Sequence, residues 1–436
     1  MQLHGWGRFP RADAELIEPP SAELFPEIFK SERIKGPLIA RGGGRSYGDS
    51  ALSKNIISSR FLDNFLEFDE TSETIRCGAG VSIDMLLRTI IPTGYFLPVL
   101  PGTGFVSVGG AIAADIHGKN HHTDGSFCDH LVRFSLLLAS GEIIECSPKT
   151  AIDAFIATCG GMGLTGVILD ATLKLEKVPS VCIKRESIVA ANLEDCFDLI
   201  EDNESSKYSV AWIDCLAKKN ALGRSILHLA EHNATGLQKY KSRRRLSIPF
   251  NIPAFLVNKH TTRLFNNSFY HLRKRTAGTN IVNYDSYFFP LDNIKNWNRV
   301  FGQKGFFQYQ LVIPSDSAKR GMKEILNVVA NSGKGSFISV LKKFSKSNEN
   351  LLSFPEAGYT LTLDFKNEPG ISPLMKKLDD IVLAHCGRLY LAKDARMSED
   401  MFKKSYSNWE KFIEIKNRLD PNGKFASIQS DRIGLT

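Results

Sequence analysis

A glycine-rich segment at residues 101–122 ends in polar side chains of the types that bind anions and transfer protons. Its paired glycines, Gly109 and Gly110, let a backbone approach a bulky ligand closely because they carry no side chain. The polar groups that follow are imidazoles, an amine and an amide: His117, Lys119, Asn120, His121 and His122. This order predicts a wall for a bound cofactor that leads into a reactive site. The alternative is a buried strand or hairpin with turn glycines and solvated histidines.

A second segment, residues 41–49, reads RGGGRSYGD and follows a strand-like run. Three successive glycines can expose backbone N–H groups in a concave anion-binding nest, which the neighbouring hydroxyls can complete. The segment has no Walker-type lysine, so we expect a phosphate-binding loop of another kind. A plain turn is the alternative, although a turn does not require the conformational entropy that three glycines lose on folding.

A third segment, residues 387–396, reads GRLYLAKDAR. Lys393 follows a strand-like stretch that contains Tyr390, and Asp394 and Arg396 are close enough in sequence to hold the lysine in place. This arrangement predicts a positioned cation or a base. Taken alone, the segment fits a surface salt-bridge cluster better.

Residues 161–166 match the spacing GxGxxG, but their context differs from that of a dinucleotide-binding turn. That turn follows a strand and opens a helix. Here the preceding residues are helix-like, and VILDATLKL after them is β-branched and strand-like. We therefore predict a tight helix-to-strand turn.

The elements that position these segments alternate between strand and helix. Strands are predicted at 36–41, at 74–81 and at 133–146, the last bent into a hairpin at Ser140 and Gly141. A helix is predicted from Ser82, as its cap, to a stop near Pro92 and Gly94. A further strand ends near Pro179, and the helices and strands predicted after it are longer. We therefore expect a middle domain at 179–386 inserted between the two parts of a first domain.

Composition indicates a folded globular chain of about two domains, since 43% of its 436 residues are hydrophobic and 23% are charged. The eight cysteines have no zinc-ligand spacing, so we expect reduced, mostly buried thiols and no metal. Neither a signal peptide nor an apolar run of membrane-spanning length is visible, which favours a cytoplasmic location.

The net charge of +8 is concentrated in residues 216–279, which contain thirteen basic residues and one acidic residue. Apolar and aromatic runs such as SIPFNIPAFLV lie among these charges, a composition that suits the surface of an anionic membrane. An ordinary solvated basic face is the alternative. Nucleic acid is not expected as a partner, because no nucleic-acid-binding motif accompanies the charge.

Five segments in order, RGGGRSYGD, VLPGTGFVSVGGAIAADIHGKNHH, GGMGLTG, FFQYQLVIP and GRLYLAKDAR, resemble the decaprenylphosphoryl-β-D-ribose 2′-oxidase family of the vanillyl-alcohol-oxidase (PCMH-type) FAD superfamily. The resemblance implies an α+β fold with a split FAD-binding domain and an inserted substrate domain built on an antiparallel sheet flanked by helices. It implies a first domain at 1–178, a substrate domain at 179–386 with a membrane-facing region at 216–279, and a segment at 387–436 that completes the FAD and active site.

The resemblance also implies FAD as the cofactor, bound without a covalent link because Arg45 and Ser46 occupy the loop region where many relatives carry an attaching histidine. Val167 is expected beside the flavin or at the adenine end. The residues implied in cofactor binding are Arg41, Gly42, Gly43, Gly44, Arg45, Ser46, Tyr47, Gly48, Gly102, Thr103, Gly109, Gly110, Ala113, Ile116, His117, Gly118, Val167, Tyr390 and Lys393.

The implied reaction is oxidation of the 2′-hydroxyl of a polyprenylphosphoryl ribose to the 2′-keto form, with hydride transfer to flavin N5. Such a reaction needs a base near the hydroxyl, and Lys393 and His117 both remain candidates, with Tyr47 bordering the same cavity. A lysine can act as the base only if its pKa falls from about 10.4 towards neutrality. The implied substrate residues are Lys119, Gln308, Gln310, Lys342, Thr362 and Lys393.

The sequence departs from the family pattern at three positions of the pocket. Thr362 stands where actinobacterial members carry a cysteine that nitroaromatic inhibitors attack, and threonine has no nucleophilic thiolate, so covalent capture is expected to fail. Phe288 stands at a tyrosine position, and Ala114 replaces a cysteine beside the flavin. These changes alter the polarity of the pocket.

The resemblance further implies a place in cell-envelope glycan synthesis, as the first half of an epimerisation that a short-chain NAD(P)H-dependent reductase completes. The expected partners are then a lipid-linked sugar phosphate and an anionic membrane, on the inner face of the cytoplasmic membrane or, in some relatives, in the periplasm. Two other functions stay open: a soluble FAD-dependent alditol or aldose oxidase, and a non-catalytic flavin- or lipid-binding protein.

Overall fold

Two sheets in the first part of the chain frame the glycine-rich segments in a computed structural model, which describes residues 1–31, 34–236 and 246–436. The strands of this part are β1 Gln2–His4, β2 Arg11–Asp13, β3 Glu15–Ile17, β4 Leu38–Arg41, β5 Asn55–Ser58, β6 Phe65–Asp69, β7 Thr74–Gly78, β8 Tyr95–Phe96, β9 Leu131–Leu137, β10 Ile143–Cys146, β11 Val167–Lys174 and β12 Glu176–Lys177. The helices are α1 Leu24–Lys30, α2 Ile83–Ile90, α3 Val108–Ala113, α4 His121–Asp124 and α5 Ile152–Thr158.

The first sheet is parallel, in the order β3-β5-β4, and the second is antiparallel, in the order β10-β9-β11-β7-β6. Strand β4 ends at Arg41 and leads directly into the glycine loop. The predicted hairpin at 133–146 is confirmed, since β9 pairs with β10 across a turn in which Gly141 has φ of 87°. A positive φ is the conformation in which glycine is favoured.

Two further local predictions are confirmed. Helix α2 begins after Ser82, whose hydroxyl accepts a hydrogen bond from the Met85 amide at 3.2 Å, and a 3₁₀ turn then ends at Gly94. The GxGxxG residues lie between α5 and β11, so they form a helix-to-strand turn and not a dinucleotide-binding turn.

The rest of the chain is built around one large sheet. The strands of this part are β13 Cys182–Ala190, β14 Tyr208–Ile213, β15 Ser225–His232, β16 Leu246–Ser247, β17 Gly278–Asn283, β18 Ile294–Lys295, β19 Phe306–Pro314, β20 Ser339–Phe344, β21 Gly358–Lys366 and β22 Arg388–Leu389. The helices are α6 Leu193–Asp202, α7 Lys259–Arg275, α8 Tyr284–Phe288, α9 Ser315–Ser332, α10 Ile371–Ala384, α11 Glu399–Ser405, α12 Trp409–Leu419 and α13 Ile428–Arg432.

Eight of these strands form an antiparallel sheet in the order β17-β13-β15-β14-β20-β21-β19-β22. Successive side chains of a strand point to opposite faces, so alternate residues share a face. The register aligns Trp212 with Val340, and Val340 with Thr362, across three adjacent strands. One face of the sheet therefore carries a continuous row of side chains from different strands.

The end of the chain returns to the first part. The Leu38 amide of β4 donates to the carbonyl of Lys424 at 2.8 Å, and the Ala426 amide donates to Leu38 at 3.0 Å. One hydrophobic core spans both parts, from Ala14 to Leu435. Helices together with a large antiparallel sheet and two smaller sheets confirm the predicted α+β class.

The structure can be compared with the prediction about the cysteines in full, but with the prediction about the basic region only in part. All eight cysteines are unpaired and lie within the described residues, and six of them are buried, as expected. Part of the basic region 216–279 lies outside the described residues: Lys239, Lys241, Arg243, Arg244 and Arg245. No helix in the described parts of the chain is long and apolar enough to cross a membrane.

Candidate active site

A cavity of about 1050 Å³ lies between the glycine segments and one face of the eight-stranded sheet. The glycine side of its wall includes Gly42 to Tyr47, Gly102, Thr103, Gly109 and Gly110. The opposite side includes Gln308 and Gln310 of β19 and Lys342 of β20. The fold thus brings together Gly42 and Lys342, which are 300 residues apart in the sequence.

The glycine wall fits so tightly against its neighbours that side chains are excluded at two positions. A Cβ at Gly42 would lie 2.0 Å from the Ser107 Oγ, and one at Gly43 would lie 2.5 Å from the Phe105 carbonyl. At Gly102, by contrast, an added Cβ would meet no atom within 4 Å, so this residue faces open cavity. The result is a smooth backbone wall with room in front of it.

Most residues implied in cofactor binding line this cavity: Gly42, Gly43, Gly44, Arg45, Ser46, Tyr47, Gly102, Thr103, Gly109, Gly110, Ala113, Ile116, His117, Gly118, Val167, Tyr390 and Lys393. Arg41 and Gly48 lie behind the glycine wall. The Arg41 guanidinium donates to the carbonyls of Ala51 and His4, and a Cβ at Gly48 would overlap the Asp394 carbonyl. These two residues support the glycine loop and do not face the cavity.

Successive side chains of a strand point to opposite faces of the sheet, and this alternation determines which side chains lie on the sheet side of the cavity. Gln310 pairs with Thr362, Gln308 pairs with Asp364, and Lys342 pairs with Thr360. All six implied substrate residues line the cavity: Lys119, Gln308, Gln310, Lys342, Thr362 and Lys393. Asp364 and Thr360 were not among the predicted site residues, although the period-two pattern TLTLD places both on the same face as Thr362.

Both ring nitrogens of His117 lie within hydrogen-bond distance of a nitrogen of another side chain, and a neutral imidazole accepts a hydrogen bond at only one of them. Its Nε2 lies 2.9 Å from Gln310 Nε2, and its Nδ1 lies 3.0 Å from Lys342 Nζ. The Gln310 amide also donates to the Thr360 hydroxyl at 3.2 Å. Burial, followed by the charge of Lys342, holds the pKa of His117 well below its ordinary value. The imidazole is therefore neutral and fixed in orientation.

The Lys393 amine lies 4.1 Å from the centre of the Tyr47 ring. Burial lowers its pKa to about 8, an effect that the charge of Asp364 partly offsets. Burial also raises the pKa of Asp364 to about 7, although a hydrogen bond from Gln308 at 2.8 Å opposes the change. Among the described residues, no side chain forms a hydrogen bond with the Lys393 amine, so it can bind a ligand.

The prediction that Asp394 and Arg396 hold Lys393 is wrong. Asp394 pairs with Arg432, with 2.9 Å between Oδ2 and Nη1, and Arg396 pairs with Asp379. These buried pairs fix the backbone on either side of the lysine. The Tyr47 amide donates to the Ala392 carbonyl at 3.0 Å, which places the glycine loop beside the C-terminal segment.

Lys119 lies further along the cavity, where its amine donates to the Tyr287 carbonyl and sits 4.1 Å from the centre of the Tyr287 ring. Burial, followed by the charges of Lys342 and Arg185, lowers its pKa to about 7. Lys342 has a pKa near the same value, lowered by burial and by Lys393. The cavity is thus lined by three amines whose positive charges repel one another.

The backbone wall and the open space in front of Gly102 fit a large planar cofactor with a phosphate-containing tail, because exposed backbone N–H groups bind phosphate oxygens. A family described as FAD binding domain matches residues 16–147, and a family described as D-arabinono-1,4-lactone oxidase matches residues 305–433. The fold and the site define an FAD-dependent oxidoreductase that acts on CH–OH groups.

The chain is 34% identical over 450 residues to decaprenylphosphoryl-β-D-ribose oxidase of Mycolicibacterium smegmatis, covering 100% of this chain and 97% of that protein. It is 31% identical over 370 residues to a Streptomyces coelicolor protein from the mprA 5′ region, covering 81% and 100%. It is 22% identical over 459 residues to mouse L-gulonolactone oxidase, covering 99% and 98%. The chain belongs to the decaprenylphosphoryl-β-D-ribose oxidase family.

Proposed function

We propose that the chain oxidises the 2′-hydroxyl of a polyprenylphosphoryl ribose to the 2′-keto form. The observation that carries the proposal is the cavity, in which a glycine wall for FAD faces three amines and two glutamines that suit a sugar phosphate. Similarity along the whole chain to a decaprenylphosphoryl-β-D-ribose oxidase supports the same substrate. When bound, FAD supplies the hydride acceptor of the reaction.

Lys393 is the base in this proposal. Its amine has no hydrogen-bond partner among the described residues, and its pKa of about 8 leaves a useful neutral fraction near pH 7. His117 is already held by Gln310 and Lys342, and its low pKa makes it a weak proton acceptor. We assign His117 the role of orienting the Lys342 amine and the Gln310 amide towards the sugar.

The remaining polar residues bind the substrate in this proposal. Gln308 and Gln310 can exchange hydrogen bonds with the sugar hydroxyls, while Lys342 and Lys119 neutralise the phosphate. Thr362 lines the cavity beside Gln310 and carries a hydroxyl group, not a reactive thiol. Tyr47 covers the Lys393 amine with its ring and keeps water from that side.

We propose that FAD is held without a covalent bond. The loop that contacts it carries Arg45 and Ser46, neither of which forms the histidyl or cysteinyl link known from covalent flavoproteins. Acid precipitation tests this directly. The yellow cofactor should remain in the supernatant, and a yellow pellet would contradict the proposal.

We also propose that the protein works at an anionic membrane, on its inner face. Residues 246–281 expose apolar side chains, including Phe255 at 75%, Leu264 at 67% and Phe250 at 65%. The same part of the chain contains five lysine and arginine residues and no acidic residue. Apolar side chains that enter the interface and basic groups that attract anionic lipid act together in this kind of binding.

The 2′-keto product requires a reduction to complete an epimerisation, so the proposal includes a partner. A short-chain NAD(P)H-dependent reductase fits this role, because it would deliver hydride to the opposite face of the new carbonyl. The pair would then supply an epimerised sugar lipid for cell-envelope glycan synthesis.

Anaerobic mixing with farnesylphosphoryl ribose, monitored at the flavin band near 450 nm, tests the function. We expect rapid bleaching with this substrate and none with free ribose or xylitol. Bleaching by the free sugars would instead identify a soluble alditol or aldose oxidase. No bleaching with any of them would identify a non-catalytic flavoprotein.

A further inference from the structure

A second group of basic side chains lines the cavity away from Lys393, and none of the roles above uses it. Arg185 of β13, His228 of β15 and Arg273 of α7 all face the same cavity that contains the amines. The Ser187 hydroxyl and His228 Nδ1 are 2.9 Å apart, a contact that holds the imidazole in place. These three residues come from elements that meet only in the folded protein.

The basic residues follow one another along the cavity. The charge of Lys393 lowers the pKa of Lys342. The charges of Lys342 and Arg185 in turn lower the pKa of Lys119. The charge of Arg273 likewise lowers the pKa of Arg185. Strand β13 lies three strands from β20 in the sheet, roughly 14 Å at the usual spacing. The Arg185 guanidinium thus connects the sugar end of the cavity to α7.

These cations lack acidic partners within the described parts of the chain. No ion pair there involves Arg185, Arg273 or Lys119, and the Arg185 Nε is buried without a hydrogen-bond partner. Burial and the neighbouring charges of Arg185, Lys119 and Arg273 lower the pKa of His228 to about 3. Uncompensated positive charge in a cavity is unfavourable until an anion enters it.

Aromatic side chains lie directly outside this basic group. The Trp212 and Phe269 ring centres are 4.7 Å apart, and the Arg273 guanidinium lies 5.1 Å from the Phe269 ring. Phe265, which lies in edge contact with Phe337, is 47% exposed at the cavity mouth. An apolar chain can therefore leave the cavity along α7, next to the basic residues.

We propose that Arg185, His228 and Arg273, together with Lys119, form a binding site for the phosphoryl group of a lipid-linked ligand, and that Phe265, Phe269 and Trp212 hold the first part of its prenyl chain. Arginine suits this role because its planar guanidinium can donate two parallel hydrogen bonds to phosphate oxygens. The inference extends the proposed function by locating the phosphate and the exit of the lipid.

Binding of farnesyl phosphate to the FAD-loaded protein, measured by titration calorimetry, tests the site without turnover. We expect Arg185→Gln and Arg273→Gln each to weaken binding about 10- to 100-fold, as for the loss of a charge-assisted hydrogen bond. Lys184→Gln on the opposite face of β13 and Arg320→Gln on α9 remove exposed charges and should leave the affinity unchanged. Farnesol, which has no charge, should bind all five proteins equally.

Other ligands distinguish the source of the anion. Inorganic phosphate should bind far more weakly than farnesyl phosphate, and soluble glycerol phosphate, the headgroup of an anionic lipid, should not compete with it. Unchanged farnesyl phosphate affinity in both arginine variants would overturn the site, as would competition by glycerol phosphate. Should Arg185→Gln lose its FAD, the Arg273→Gln result decides alone. Normal farnesyl phosphate binding without flavin bleaching by the ribose lipid would reject only the proposed reaction.

Discussion

At the scale of single residues, the Lys393 amine owes its chemistry to what surrounds it. Burial lowers its pKa to about 8, and Asp364, whose own pKa is raised to about 7, keeps it from falling further. An amine with this pKa can accept a proton near neutral pH, whereas an exposed lysine is almost fully charged there. In the proposed reaction, this environment favours Lys393 over His117 as the base, because the pKa of His117 is held well below its ordinary value.

Replacing the amine should remove the base and leave the cofactor site intact. For Lys393→Met we expect the rate of anaerobic flavin bleaching by farnesylphosphoryl ribose to fall about 10²- to 10⁴-fold, the usual contribution of a general base. The 450 nm absorbance per protein should stay at the wild-type level. Lys411→Met, at an exposed position of α12, is the matched control and should bleach at the normal rate. Equally fast bleaching by Lys393→Met would exclude the lysine as the base.

The pH dependence should report the same amine. Lys393 must be neutral to accept a proton, so kcat, which reports the substrate complex, should rise about tenfold per pH unit below its pKa and level off above about 8. A steady-state profile from pH 6 to 10 measures this limb. His117→Asn should retain the limb, because the imidazole is not the acceptor. A limb that disappears in His117→Asn would reverse the two roles.

At the scale of elements, the glycine loop and the C-terminal segment are built as one unit. The Tyr47 amide bonds to the Ala392 carbonyl, and the Gly48 α-carbon packs against the Asp394 backbone. Arg432 of α13 pairs with both Asp49 and Asp394 and so joins the same two segments. The position of Lys393 above Tyr47 depends on this packing.

A side chain at Gly48 should therefore separate the two segments. In Gly48→Ala the new Cβ would overlap the Asp394 carbonyl, so we expect the apoprotein to lose about 1–3 kcal/mol of unfolding free energy, as for other overpacked sites. Urea unfolding followed by circular dichroism measures the loss. Gly102→Ala, whose Cβ would meet no atom within 4 Å, should unfold at or above the wild-type urea concentration. Equal stability of the two variants would contradict the packing argument.

Sequence patterns could predict the structural features that depend only on residues adjacent in the chain. The Ser82 cap of α2, the hairpin at Gly141 and the glycine loop after β4 each follow from a few adjacent side chains. The partners of Lys393 did not follow, because Asp394 and Arg396 found stronger partners in Arg432 and Asp379 from distant elements. Competition among ion pairs is decided by tertiary packing, which sequence spacing does not encode.

The large sheet shows the same limit. The alternation in β21 could have placed Asp364 beside Thr362, but its neighbour on the other strand depends on the register of β19. Arg185 was also missed, because it reaches the site through a sheet order in which β14 and β15 lie between β13 and β20. The family resemblance supplied residues that local patterns alone left open.

At the scale of the whole molecule, the cavity is continuous from the glycine wall to the aromatic residues of α7. In the proposed arrangement the sugar binds near Lys393, the basic residues follow along the cavity, and the lipid leaves past the partly exposed Phe265. Exposed apolar side chains continue beyond the mouth in residues 246–281. This order matches that of a lipid-linked sugar, whose head enters the protein while its tail stays in the membrane.

Removing the exposed apolar side chains should therefore uncouple membrane binding from chemistry. Phe250 and Phe255 are 65% and 75% exposed, so their replacement has little effect on the core. For Phe250→Ser/Phe255→Ser we expect sedimentation with phosphatidylglycerol vesicles to fall at least tenfold, since burial of apolar area contributes roughly 25 cal/mol per Å². Raising the salt concentration should weaken the binding of both proteins, because the basic residues contribute through screened charges.

Kinetic measurements should distinguish the loss of membrane binding from a loss of the chemical reaction. The double variant should oxidise dispersed farnesylphosphoryl ribose at the normal rate, yet act slowly on a long-chain substrate presented in vesicles, because only the second reaction needs the membrane. Leu66→Ser removes a similarly exposed side chain, 51% exposed on β6, and should change neither vesicle binding nor either rate. If Leu66→Ser reduced vesicle binding as much as the double variant, the attraction would be a general property of exposed apolar residues. Residues 246–281 would then not be the docking surface.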